Sequence, residues 1–469
     1  MADGAGAWTT HNPYLNGNFA PVMDENTFDD LEVEGVIPDA LEGAYLRIGS
    51  NPVHVKDPDL YHWFDGDGMV HSLAFSRGKA RYKNRFMRTH GLALEAEAGH
   101  ALWGGINSPP DFSNPNGPYK NVANTAIVLH AGAAMALWEG GPPHVFTVPD
   151  LETVGPMDYD GKLNHPFSAH PKVDGKTKEM VTFGYGPMGD KPVGVSIVAP
   201  DGALKNSTAL PLKKPVMMHD FAITANYNVF MDLPMTFDLQ RLMGGGQMLD
   251  WEPENGARIG VMPRHGDGEE VRWFDIDNCF VFHTATAWEE GDRIVLIACR
   301  MQRPILVGSS GAKGDMPENN YTVARWDLDL STGRATETEL FALHGDFPRF
   351  NESLAAHKHR YAYMPFNASD QIDFGGLVKL DLEDATYKSF DFGPTTRLSE
   401  AVFAARPGAS AEDEGWLIAF AHDEATDESS GVIFDAQDVA SGPIARIKIP
   451  TRIPYGFHAA WAPASTYTG

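Results

Sequence analysis

One histidine stands out for its setting. His219 lies in "PVMMHDFAITANYNVFMDLP", a stretch otherwise apolar enough to be interior. A buried imidazole either satisfies both ring nitrogens by hydrogen bonds or lends one to a metal, because an unpaired buried polar group costs about 1 to 3 kcal/mol. Taken alone, His219 reads as a satisfied core histidine. Of the 18 histidines, three more share its setting: His170 in "HPFSAHPKVD", His283 in "NCFVFHTATAWEEGD" and His458 in "RIPYGFHAAW". Each stands where an apolar strand meets small residues or a turn. If the fold brings them together, four imidazoles make a transition-metal site. If it does not, they are four core side chains.

The other histidines differ. His11, His54, His265, His344 and His422 sit beside Gly, Pro or acidic residues and read as solvated loops. His357 and His359, in "AAHKHRYAYM", straddle a lysine at strand spacing and read as a strand edge. "HGD" occurs at His265–Asp267 and again at His344–Asp346, the His-x-Asp half of a facial triad. "PRHGDGEE" is turn chemistry, however, which weighs against that triad.

The elements that must position these residues are strands. Short apolar or alternating runs such as "TAIVLHAG", "VGVSIVAPDG", "RIVLIACRM" and "GWLIAFAHD" recur almost from end to end, separated by Gly, Pro, Asp and Asn. The 47 glycines and 33 prolines are spread through the chain, so no linker or domain boundary stands out and residues 1–469 read as a single unit. Helical periodicity is weak; "DLQRLMGGGQML" predicts one short helix broken at its glycine triplet, an excursion from a sheet. "WDLDLSTG" and "VKLDLEDAT" resemble each other as strand-then-turn units. The expected fold is an all-β propeller, in which the innermost strands face a central axis and residues distant in sequence converge there.

Bulk properties exclude several function classes. With 43% hydrophobic and 21% charged residues the composition is that of an ordinary globular protein. A formal charge of −26 repels nucleic acid and anionic membrane surfaces, leaving at most peripheral membrane contact. Cys279 and Cys299 lack paired-motif spacing, which argues against a disulfide framework or thiolate zinc site and fits a reducing, cytoplasmic compartment. The opening "MADGAGAWTTHNPYLNGNFAP" has neither a basic head nor an apolar run, so no signal peptide is expected, and no window approaches the roughly 20 apolar residues that span a bilayer.

Seven segments in register carry a resemblance to a known family. "LEGAYLRIGSNPVH", "YHWFDGDGMVHSLAF", "KNVANTAIVLHAGAAMALWEGG", "SAHPKVD", "MMHDFAIT", "WEPENGARIGVMPR" and "YGFHAAW" together resemble the carotenoid cleavage oxygenases over nearly the whole chain. The resemblance implies a seven-bladed β-propeller with one Fe(II) on its axis and a cap of loops and short helices over a substrate tunnel. It puts the metal ligands on His170, His219, His283 and His458. It also implies outer carboxylates: Glu139 for His219, Asp346 for His283 and Glu400 for His458, with none for His170. Asp346 stands where a glutamate is expected, so either a shifted backbone or a bridging water is anticipated there.

The same resemblance places Thr125, in "NVANT", near an open position of the iron, and strand alternation next to Glu139 would turn Trp138 toward the tunnel as a candidate substrate contact. It implies that O2 is the cosubstrate and that one carbon–carbon double bond of an apolar conjugated alkene is cleaved to two carbonyl products. Trp138 and "LWGGINSPP" stand where stilbene-cleaving members carry a lysine and a tyrosine that grip a phenol. An apocarotenoid is therefore the expected substrate and a stilbenoid or phenylpropenoid the alternative. Asp238 and Arg241 make the entrance less apolar, which favours the alternative. A non-enzymatic interaction propeller is the more distant reading; it gives no reason for four such histidines with three matched acids.

Overall fold

A computed structural model describes residues 8, 10–186, 192–244, 248–304, 321–367 and 374–467. Seven antiparallel sheets of four to six strands follow one another along the chain as the blades of a propeller, with few helices. Blade 1 is built on Gly43–Ser50, blade 2 on Ala126–His130, blade 3 on Met180–Tyr185 and blade 4 on Tyr227–Asp232. Blades 5, 6 and 7 are built on Phe280–Glu290, Tyr361–Asn367 and Gly415–Asp423. The chain ends lock the ring twice. The C-terminal strand Ala459–Pro463 completes blade 1 against Gly43–Ser50, and Val33–Gly35 edges blade 7 against Pro443–Ile449.

Closure is driven by burial between blades. Seven apolar clusters occupy the seven interfaces between successive blades, the ring closing with blade 7 against blade 1. The middle strands of the blades therefore bury both faces, which explains why runs such as "RIVLIACRM" are apolar without alternation, while outermost strands such as Thr386–Asp391 stay largely exposed. Each fully buried Val, Leu, Ile or Phe contributes about 1.5 to 3 kcal/mol.

The turn chemistry explains the weak internal repeat. In "WDLDLSTG" Asp329 accepts the amide protons of Ser331 and Thr332, and Gly333 takes φ 73°. In "VKLDLEDAT" Asp381 does the same for Glu383 and Asp384, with Ala385 at φ 50°. Both are hairpins between the two outer strands of a blade. The repeat is thus an Asx turn reused in blades 5 and 6, and only one copy needs glycine.

The predicted excursion is present within blade 4. Helix Leu239–Met243, capped by Asp238, lies between strands Met235–Phe237 and Leu249–Trp251, which form a small separate sheet. Gly245 and Gly246 of the triplet lie outside the described residues. Short helices Pro13–Leu15, Gly17–Phe19, Trp63–Asp65 and His90–Ala98, with their loops, form the cap. No helix among the described residues is long and apolar enough to cross a membrane.

Three expectations about histidines need correction. His422 is a buried residue of strand Gly415–Asp423, bonded to Ser429, because its neighbours "AFAHD" belong to a central strand and not to the turn that follows. His344 lies in strand His344–Gly345 and lines the central cavity. His357 and His359 precede strand Tyr361–Asn367, and His359 is buried flat against Phe350, ring centroids 4.3 Å apart.

Candidate metal centre

Four blades bring a histidine to one place. His170, His219 and His458 stand just before the innermost strands of blades 3, 4 and 1. His283 lies within the inner strand of blade 5, where the pairing register shifts on either side of Thr284. Such bulges re-aim a side chain out of the regular alternation. Asp220 fixes that bulge by accepting from the Thr284 amide at 2.7 Å and its hydroxyl at 2.8 Å, while pairing with Lys172 at 2.7 Å. One buried carboxylate thus braces blades 3, 4 and 5 around three of the histidines.

The four imidazoles converge, with one nitrogen of each within 4.8 Å of all the others. Nε2 of His170 lies 3.0 Å from Nε2 of His219, and Nε2 of His283 lies 3.1 Å from Nε2 of His458. Behind them, Glu139 meets Nδ1 of His219 at 3.0 Å, Asp346 meets Nδ1 of His283 at 2.9 Å and Glu400 meets Nδ1 of His458 at 3.0 Å. His170 has no such carboxylate among the described residues.

This donor set fits a metal cation. With the Nδ1 protons of His283 and His458 given to carboxylates, both Nε2 atoms present lone pairs to each other across 3.1 Å. That contact repels unless a cation lies between them. Four neutral nitrogens with three acids behind them are the arrangement in which outer carboxylates fix the tautomer and offset the charge of a divalent ion.

Charge and burial tune the groups differently. Burial opposes ionisation of Glu139, but His219 and the hydrogen bonds from His219 and Tyr185 prevail and hold its carboxyl below the usual range. Glu400 is likewise opposed by burial and held low by Arg349 and His458. Burial drives His458 down to about 4 against the pull of Glu400. His170 is pushed well below the ordinary imidazole value by burial and by the crowd of other imidazoles. In His219 burial lowers the value, but the charge and hydrogen bond of Glu139, with the charges of Asp220 and Asp346, together prevail and raise it, so its proton is the one a metal must displace.

Asp346 reaches His283 directly, without the bridging water allowed for above. The backbone makes up the missing methylene: Phe347 adopts φ 56°, its amide donates to Asp346 at 2.9 Å, and its ring packs 4.7 Å from that of His458. Thr125 lines the cavity above the histidines, its hydroxyl donating to Asn124 at 2.9 Å while its carbonyl accepts from the His458 amide at 3.2 Å. Trp138 also lines it, folded over Gly140, where any Cβ would strike the indole. His265 and Asp267 lie outside this group, in the turn after strand Ala257–Pro263.

Sequence reasoning missed several supports. The Tyr185 hydroxyl donates to Glu139 at 2.7 Å, and Arg349 reaches both Glu400, at 3.4 Å, and the Ala459 carbonyl, at 3.0 Å. "MMHDF" carries an acid beside His219, which was the available signal for Asp220. Tyr185 and Arg349 are separated from their partners by 46 and 51 residues and had none.

Above the centre lies a mainly apolar cavity of about 1110 Å³ whose lining includes Tyr14, Phe19, Trp63 and Trp103 of the cap side and Phe282 and Phe347 beside the histidines. A propeller whose axis carries four convergent histidines able to hold a metal ion, under a mainly apolar cavity, is the class that fold and site define. The profile of the family described as "Retinal pigment epithelial membrane protein" matches residues 19–463. The chain is 38% identical over 484 residues to the carotenoid 9,10(9',10')-cleavage dioxygenase of Crocus sativus, covering 95% of this chain and 88% of that one. The lignostilbene dioxygenase of Pseudomonas brassicacearum superposes with a TM-score of 0.90 at 29% identity, covering 97% and 99% of the two chains. A cobalt-substituted apocarotenoid oxygenase from Synechocystis gives 0.85 at 29%, covering 94% and 97%. The chain belongs to the carotenoid cleavage oxygenase family.

Proposed function

We propose that this chain, as one unit over residues 1–469, is a non-haem Fe(II) dioxygenase that cleaves one double bond of an apolar conjugated alkene, an apocarotenoid, into two carbonyl products. The observation that carries the reading is the set of four convergent imidazoles backed by three carboxylates on the floor of an apolar cavity. His170, His219, His283 and His458 would hold one ferrous ion, and Glu139, Asp346 and Glu400 would fix the ring directions. When bound, the iron supplies activation of O2, and the alkene supplies the electrons.

The chain's own residues do the rest. Rigid blades hold the ligands, so no side chain has to reorganise when the ion binds. Trp138, Phe282 and Phe347 form apolar walls beside the histidines that orient a flat conjugated chain and keep water from it. Thr125, which lines the cavity, would limit what approaches the bound ion. Two free, buried cysteines support a reducing, cytoplasmic setting.

Metal analysis and product identification test this together. Purified protein loaded anaerobically with Fe(II) should bind about one equivalent and, under O2, convert an apocarotenal to two shorter aldehydes identified by mass. Failure to take up iron would overturn the oxygenase reading. Turnover of hydroxystilbenes with no turnover of apocarotenals would replace the substrate class and leave the chemistry standing.

A further inference from the structure

One region of the same cavity is unfinished in a way the centre is not. Segment 453–457, which leads into His458, is bordered by three side chains that each keep one buried donor without an acceptor. Arg47, 3% exposed, donates Nη2 to the Pro454 carbonyl at 2.6 Å, lies over the Phe420 ring and packs its guanidinium on Gly456, where a Cβ would sit 2.7 Å from Cζ. Its Nε is buried without a partner, and no carboxylate among the described residues pairs with it. Burial pushes its pKa below the usual guanidinium value, yet an arginine keeps its charge at any physiological pH.

Two more buried donors border the same segment. Asn18, 7% exposed, accepts from the Tyr455 amide at 3.0 Å through its carbonyl and from Arg452 at 3.1 Å through Oδ1. The second contact fixes the orientation of the amide, because a flip would turn its NH2 onto a guanidinium, and it leaves Nδ2 with no acceptor. Trp63 packs 4.4 Å from Phe457, ring centre to ring centre, and its Nε1 is likewise buried and unpartnered. Arg47, Asn18 and Trp63 all line the cavity.

Three unpaired donors and one uncompensated positive charge call for an acceptor that is also an anion. A neutral carbonyl could satisfy a donor but would leave the charge. A carboxylate offers two oxygens, about four lone-pair sites and a planar shape matched to a guanidinium. We propose that this limb is a carboxylate subsite in which Arg47, flanked by Asn18 Nδ2 and Trp63 Nε1, takes the anionic terminus of the substrate. The proposal rests on the oxygenase reading of the centre and narrows its substrate to acid-terminated conjugated alkenes. Gly456 is two residues from His458, so their Cα atoms are at most about 7 Å apart and the subsite shares a wall with an axial ligand.

The test compares one polyene with and without its charge. Metal-loaded protein is equilibrated by dialysis against all-trans-retinoic acid and, separately, its methyl ester, without O2. The acid should bind at least tenfold more tightly. That preference should fall below twofold in Arg47→Met and drop several-fold in Trp63→Phe, which keeps the ring contacts and loses only the donor. Equal affinity of acid and ester for the unaltered protein, or a preference undiminished in both variants, would overturn the subsite. If Arg47→Met does not fold, the acid-to-ester ratio of the unaltered protein and of Trp63→Phe decides. Binding is read without turnover. Acid preference in a protein that takes no iron would refute the oxygenase and keep the subsite, and iron-dependent cleavage without acid preference would do the reverse.

Discussion

The axial centre and the limb at 453–457 adjoin in sequence at His458 and Phe457, and both are buried, polar and surrounded by aromatic rings. In the centre, each of three imidazoles has its Nδ1 on a carboxylate, and those acids are held in turn by Tyr185, Arg349 or backbone amides. In the limb, Arg47, Asn18 and Trp63 each keep a donor with nothing to accept it. The first arrangement already pairs each carboxylate with a ring and leaves four imidazole nitrogens converging, so it is built to hold an ion in one geometry. The second lacks an anion, so it is built to be completed by what enters and leaves. A permanent site and a transient one can thus be told apart by which polar atoms the fold has already satisfied.

Removing a ligand of the centre has the largest expected effect and separates the two regions. His458→Ala should bring iron content from about one equivalent to less than a tenth and abolish turnover, measured by metal analysis and aldehyde yield. The acid preference of the limb should survive that change, since Arg47, Asn18 and Trp63 do not touch the imidazole. Loss of both properties together would mean that the two regions are one cooperative unit.

Much of the centre was legible in the chain because it is local at each strand. His170, His219, His283 and His458 each mark the point where an apolar run enters the axis, and the ring of blades follows from turn residues repeated along the sequence. What was not legible depends on side chains crossing between blades. Arg47 sits in "LRIGS" like any strand arginine, and only the pairing of Gly43–Ser50 with the C-terminal strand brings it to Gly456. His422 is hidden from a sequence reading for a related reason: its acidic neighbour describes the turn that follows, not the depth of the residue itself.

Acid offers a sharper test of what distinguishes a ligand from an ordinary buried histidine. His359 donates Nδ1 to the His357 carbonyl at 3.1 Å, has no partner on Nε2, and burial lowers its pKa to about 4. An unfolded histidine titrates near 6.5, so between pH 6.5 and 4 the unfolded chain binds the extra proton and stability falls as pH falls. The span amounts to about 3 kcal/mol for this residue. His359→Gln should remove about 2 kcal/mol of the pH dependence of unfolding between pH 7.5 and 5, the part of that span lying above pH 5, read by denaturant titration, and leave iron content unchanged at pH 7.5. An unaltered pH slope would show that His359 is protonated or hydrated in the folded state.

Replacing an acid behind a ligand is a smaller intervention. Glu139→Gln keeps the shape and loses the charge opposite His219, and should weaken iron affinity or rate by about 10 to 100-fold, measured by competition with a chelator. Asp346→Asn should fall in the same range. A much smaller effect at Asp346 would mean that the short side chain holds His283 mainly through the strained turn at Phe347.

The mildest change lies one bond further out. The Tyr185 hydroxyl donates to Glu139 at 2.7 Å and so competes with His219 for the same carboxylate. Its burial and the adjacent charge raise its pKa well above that of a free phenol, so it stays a donor throughout the working range. Tyr185→Phe removes that donor and leaves the ring against Phe183 and Phe237. Freed of the competition, Glu139 is more basic and grips His219 more tightly, yet one of its buried oxygens loses a partner. The two effects oppose each other, and a change in iron affinity within about fivefold is expected by chelator competition. The acid-to-ester ratio of the limb should not move at all. A shift in that ratio would mean that the carboxylates behind the histidines, not Arg47, set the charge preference of the cavity, and the distinction between the finished and unfinished regions would fail.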